Sequence, residues 1–135
     1  ARLLLGALTV PNLRFVPLFE NETEAAKLLP LTAAVLGMGS DGHTASFFRG
    51  GDTLAQALDP EAAPGLIHLS APASGEPRIT FNFPALLEVQ TLALHIEGRE
   101  KMAVLEQAMG PGPAEDMPIR ALLRSDKPLD IYWCP

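Results

Sequence analysis

Cysteine occurs once, as Cys134, so no disulfide can close within the chain. Nor is there a Cys/His set at metal-ligand spacing. Long apolar runs are also missing, and none approaches the ~18 residues that a membrane-spanning helix requires. Basic residues never run beyond two in a row, and ten Lys and Arg face sixteen Asp and Glu, a formal charge of −6. An acidic surface repels nucleic acid and anionic membranes, so neither is expected as a partner. The nucleophile elbow G-x-S-x-G is absent, which leaves Ser46 without the turn that activates an esterase serine. What is present is apolar material: 47% of 135 residues, enough for the core of one domain and too short for two. Thirteen prolines and eleven glycines divide the chain into short elements.

The opening Ala1 to Leu8 has the look of a signal peptide, but its basic region is one arginine and Pro11-Asn12 is no cleavage site. A short helix ending near Pro11 is expected there. From that point strands and helices alternate. Leu13–Phe19 is a strand candidate limited by Pro17 to an edge or to two short pieces, and Asn21–Leu29 is a short helix with acids first and Lys27 near its end. Thr32–Leu36 is apolar without alternation, as in a parallel strand covered on both faces. The glycine-rich loop Gly37–Gly42 follows, with a helix expected from His43. Asp52–Leu58 should be a helical turn or two, Leu66–Ser70 a strand, and Ile79 to Phe83 an alternating stretch before a helix at Pro84–Val89. Thr91–Glu97 is a strong strand and Arg99–Met109 a strong helix. Pro118–Arg124 and Leu129–Trp133 complete the chain as helix and strand. This alternation predicts an α/β fold with a mostly parallel sheet.

The loop carries most of the chemistry. Gly37, Gly39 and Gly42 match G-x-G-x-x-G between strand and helix, the outline of a dinucleotide fingerprint. His43 directly after the third glycine, and no acid at the end of the next strand, speak against NAD(P). A better reading is a sharp turn at the carboxyl end of a parallel strand, where open α/β sheets bind ligands. Asp41 and His43 are two apart on that turn. At a helix N-terminus the dipole would keep the imidazole neutral, as a general base requires. On residues alone, an ordinary N-cap and an ordinary first-turn histidine remain equally open. Lys101, in the first turn after Gly98, is electrostatically misplaced unless an anion binds there, and it can equally be a solvated lysine balanced by Glu97 and Glu100. Arg78 suits bidentate phosphate contact, though local pattern alone leaves it a surface arginine. His68, His95, Tyr132 and Trp133 read as structural, the last two as core.

Leu36-Gly37-Met38-Gly39-Ser40-Asp41-Gly42-His43-Thr44-Ala45-Ser46-Phe47-Phe48 resembles the signature of the 6-phosphogluconolactonases, within the glucosamine-6-phosphate isomerase/6-phosphogluconolactonase family. The likeness continues in order through Pro77-Arg78-Ile79-Thr80, Pro84-Ala85-Leu86-Leu87, Gly98 with Lys101, Pro118-Ile119-Arg120-Ala121 and Tyr132-Trp133. The resemblance implies a Rossmann-like three-layer α/β sandwich. It also implies a cytoplasmic enzyme of the pentose phosphate pathway that hydrolyses 6-phospho-D-glucono-1,5-lactone without metal or cofactor. Carried over by position, His43 matches the family's catalytic histidine, Asp41 the carboxylate beside it, and Arg78 and Lys101 the phosphate ligands. Gly39 belongs to the substrate-binding turn.

Aminosugar isomerases of the family carry a glutamate five residues after the histidine, where this chain has Phe48, which cannot titrate. The lactonase reading is therefore preferred over an aminosugar-phosphate isomerase or deaminase relative, and over a non-catalytic sugar-phosphate-binding module. Three departures stand out. Arg49 occupies a usual proline, and the Phe19–Thr32 connection is about a dozen residues short. The family's N-terminal half, with its Ser-Gly-Gly-type phosphate loop and Asp-Glu-Arg segment, has no counterpart. Residues 1–135 are thus expected to be the C-terminal portion of one such domain, inactive alone and prone to self-association through a bare sheet edge or face.

Overall fold

The computed structural model describes residues 14–135, so the expected helix ending near Pro11 lies outside the described residues. Its centre is a three-stranded parallel sheet of β1 (Ala33–Leu36), β4 (Thr91–Glu97) and β5 (Asp130–Cys134), in the order β1-β4-β5. Register runs Ala33↔Thr91 to Leu36↔Leu94 on one side and Ala93↔Asp130 to Glu97↔Cys134 on the other. A separate antiparallel pair joins β2 (Leu66–Leu69) to β3 (Arg78–Phe81). The described residues also form five α-helices: α1 (Glu22–Ala26), α2 (Leu54–Leu58), α3 (Phe83–Leu87), α4 (Gly98–Met109) and α5 (Ile119–Leu123). The class is α/β with a parallel sheet, as the alternation predicts.

Local chemistry explains several boundaries. Asn82 caps α3 by accepting from the Ala85 N–H at 3.2 Å, with Pro84 in the first turn, where its missing N–H goes unneeded. The core gathers Phe47, Val89, Leu92, Leu94, Leu105, Ile119 and Leu122, all essentially buried. Phe47 is fully buried, so the loop after β1 is anchored by a side chain whose truncation to alanine costs about 3–5 kcal/mol.

Four expectations need correction. Of the strand expected at Leu13–Phe19, Leu13 lies outside the described residues; residues 14–17 form no strand and Leu18–Glu20 is a 3₁₀ turn, Pro17 having no N–H to give a ladder. No helix begins at His43. Gly42 (φ +79°), Ala45 (φ +50°) and Gly50 (φ +71°) lie in the left-handed region, which breaks a right-handed helix before it starts. Among the described residues β1 is not covered on both faces, since Val35 is 74% exposed, and it pairs on one side only, with β4. Tyr132 and Trp133 are not core either, since β5 is the opposite edge and every one of its residues is exposed.

Candidate active site

The turn after β1 closes on itself through backbone bonds. The Gly39 N–H donates to His43 O at 2.8 Å and the Gly42 N–H to Gly39 O at 3.1 Å. The Thr44 hydroxyl donates to Gly37 O at 2.8 Å. This folding brings Asp41 onto His43: Asp41 Oδ1 lies 2.6 Å from His43 Nδ1 and accepts from the His43 backbone N–H at 3.2 Å. Only glycine fits at position 39, because a Cβ there would stand 2.1 Å from His43 Nδ1 and 2.5 Å from Asp41 Oδ1. The glycine requirement is thus steric and belongs to the pair, not to a pyrophosphate.

An ionised carboxylate can only accept, so the proton of the neutral imidazole sits on Nδ1 and the lone pair on Nε2. Partial burial pushes the Asp41 carboxyl up. The hydrogen bonds from the His43 N–H and imidazole, with the positive charge the ring carries when protonated, outweigh that effect and leave it below the ordinary carboxylate value. With no helix beginning at His43, the dipole expected to keep its imidazole neutral is missing; what the turn supplies is the Asp41 carboxylate, which fixes the ring's orientation. The other face of the imidazole is covered by Phe48, ring centroids 4.3 Å apart and planes tilted by 32°. Val35, Leu36, Gly37, Met38, Gly39 and Ala45 form with His43 a hollow at the end of β1.

Arg78 stands at the start of β3, in the next hollow along, which Ser46 and His68 also line. Ala45 lines the His43 hollow and the next residue, Ser46, lines the Arg78 hollow. The Arg78 guanidinium reaches Ser74 O at 3.2 Å and Glu76 Oε1 at 3.3 Å, while its buried Nε has no partner among the described residues. Lys101 occupies the second turn's threshold in α4 and makes no ion pair or hydrogen bond among the described residues, so the balancing by Glu97 and Glu100 is not seen; Glu97 instead approaches His95, at 3.7 Å. Because β1 and β4 are parallel neighbours, the His43 turn and the start of α4 leave the same edge of the sheet. The structure thus unites Asp41, His43 and Gly39; Arg78 lines a separate hollow, and Lys101 follows the strand paired with β1.

His68 and His95 are exposed strand residues, and His68 Nε2 meets Glu22 from α1 at 3.1 Å. Sequence reading passed over Met117 and gave Ile119 only as part of a motif, with no role. The Ile119 N–H donates to Gly42 O at 2.9 Å, and Met117 packs so closely that a Cβ on Gly42 would lie 3.0 Å from it. Nothing in local pattern announces a backbone tie spanning 77 positions. Among the described residues no group of three or more His, Cys, Asp or Glu could hold a metal ion, and no helix is long and apolar enough to cross a membrane.

A family profile described as glucosamine-6-phosphate isomerases/6-phosphogluconolactonase matches residues 7–133. A 6-phosphogluconolactonase of Rhizobium meliloti is 49% identical over 90% of this chain and 58% of its own length. One from Mesorhizobium japonicum is 39% identical over 90% of this chain and 56% of its own. In three dimensions, the crystal structure of a 6-phosphogluconolactonase from Shewanella baltica superposes with a TM-score of 0.70 at 34% identity, covering 79% of this chain and 47% of that one. The chain therefore spans a little over half the length of the curated relatives it matches.

Proposed function

As the chain belongs to the glucosamine-6-phosphate isomerase/6-phosphogluconolactonase family, we propose that the protein carrying it is a cytoplasmic enzyme hydrolysing 6-phospho-D-glucono-1,5-lactone to 6-phospho-D-gluconate. The observation that carries the reading is the 2.6 Å contact between Asp41 Oδ1 and His43 Nδ1 at the carboxyl edge of a parallel sheet. His43 Nε2 takes a proton from water as the water oxygen bonds to the lactone carbonyl carbon. The carbonyl electron pair moves onto oxygen, giving a tetrahedral oxyanion. When that pair returns, the bond to the ring oxygen breaks and the leaving alkoxide takes the proton from the imidazolium. One water is consumed, no electrons change hands, and the products are a carboxylic acid and a free hydroxyl. Asp41 steadies the imidazolium between the two transfers, which general acid–base catalysis rewards with about 10²–10⁴ in rate.

Arg78 and Lys101 serve as the phosphate grip. Each has donors left over: the buried, unpaired Nε of Arg78, at the start of the separate β2–β3 pair, and the whole ammonium of Lys101, at the carboxyl edge of the parallel sheet. Phe48 favours lactone hydrolysis over aminosugar isomerisation. It is buried against the imidazole at the position where a second proton carrier would stand. The test is a 6-phosphogluconate-forming assay on the purified protein with spontaneous hydrolysis subtracted, run beside a glucosamine-6-phosphate deamination assay. Acceleration in the first alone is expected. No acceleration in the first would overturn the reading, and activity in the second alone would give the site to the isomerase branch.

A further inference from the structure

Arg120 is a cation that the proposed chemistry leaves unused, and it is 6% exposed. A buried guanidinium needs partners, and among the described residues no carboxylate lies within ion-pair distance of it. Four carbonyl oxygens take its N–H groups instead: Pro111 at 2.9 Å, Pro113 at 3.1 Å, Ala108 at 3.2 Å and Gln107 at 3.4 Å. Gln107 and Ala108 belong to the last turn of α4, whose carbonyls form the negative end of the helix dipole; Gln107 O also accepts from the Gly110 N–H at 3.1 Å. Gly112, at φ +129°, makes room, for a Cβ there would sit 2.5 Å from Arg120 Nη1. Arg120 itself is the second residue of α5, and the residue before it gives its N–H to Gly42 O.

We propose that Arg120 is a positioning residue for the Asp41–His43 pair, acting through Ile119 and Gly42; the claim of an effect on turnover rests on the lactonase reading. The guanidinium fixes α5 to the end of α4. From that fixed point the Ile119 N–H and the Met117 side chain hold Gly42 in its left-handed conformation, one residue before His43. The opposite end of α4 carries Lys101, so one side chain keeps the general base and a phosphate ligand in a common frame.

The experiment compares Arg120→Gln, Arg120→Lys and Leu122→Ala, the last a buried α5 residue with no polar tie to the turn. All are measured at equal distance below their own Tm. Arg120→Gln should lower kcat by about ten- to a hundredfold with KM within about threefold, since a 1 Å misplacement of a reacting group costs that order. Arg120→Lys should recover part of kcat, and Leu122→Ala should leave it within about threefold. In amide hydrogen exchange, Gly39 and Gly42 of Arg120→Gln should lose about tenfold more protection than Leu94 of β4, as a local opening does. Equal kcat losses in Arg120→Gln and Leu122→Ala, or uniform loss of protection, would overturn the assignment. If Arg120→Gln does not fold, Arg120→Lys carries both readouts. If the parent protein turns over no lactone, the function is lost, and the exchange measurement still decides whether Arg120 holds the turn.

Discussion

His43 is held on two sides, by the Asp41 carboxylate at 2.6 Å and by the Phe48 ring at 4.3 Å, and it lines the hollow at the end of β1. Replacing it with asparagine keeps a polar group of similar reach and deletes the base. His43→Asn should reduce kcat by roughly 10²–10⁴ with KM little changed, read in the background-subtracted lactonase assay; undiminished kcat would remove His43 from the mechanism. Asp41 makes a second prediction. Its carboxyl lies below its ordinary value in the folded protein, so its contribution to stability is complete above the usual carboxylate range and is lost as pH falls through the folded value. The Tm gap between the parent and Asp41→Asn should therefore be open at pH 7 and close below about pH 4. It should also be modest, since the side chain is 44% exposed. A gap that widens on acidification would contradict the pairing.

Among the elements, β3 and α4 each deliver one cation: Arg78 opens β3 and Lys101 lies near the start of α4. In the proposed reaction the substrate phosphate does not react, so contacts to it would stabilise ground and transition states alike. Arg78→Ala should therefore raise KM by about tenfold or more while kcat changes little, a split read from full saturation curves. A fall in kcat with unchanged KM would assign Arg78 to the chemistry instead. β4 and α4 are also the elements most legible in the sequence. Thr91–Glu97 and Arg99–Met109 match the observed Thr91–Glu97 and Gly98–Met109, because long periodic segments outweigh local noise. The helix expected at His43 fails for the opposite reason. A glycine-rich spacer after a strand is common to several turns, and only the left-handed Ala45 and the Met38–Thr44 and Thr44–Phe47 bridges distinguish this one. Arg120 was illegible beyond its place in a motif, since its partners are carbonyls that any residue possesses.

At the scale of the whole molecule, apolar composition does not say which strand becomes an edge. Tyr132 and Trp133 have core chemistry yet stand 60% and 41% exposed, and Val35 on the far edge is 74% exposed. Unpaired strand edges with apolar side chains template further pairing. A polypeptide of these 135 residues alone should elute from a sizing column as a dimer or larger, and a charged substitution at Val35 should shift it toward monomer. Monomer at every concentration would show the edges to be self-sufficient. Trp133 has one more property, because it is the single tryptophan of the sequence and its indole N–H donates to Gly98 O at 3.1 Å. Gly98 is the first residue of α4, three positions before Lys101, so the only indole fluorophore reports directly on the head of that helix. Titrating 6-phosphogluconate should change the emission in the parent protein and leave it flat in Lys101→Ala, giving an optical binding isotherm without any label.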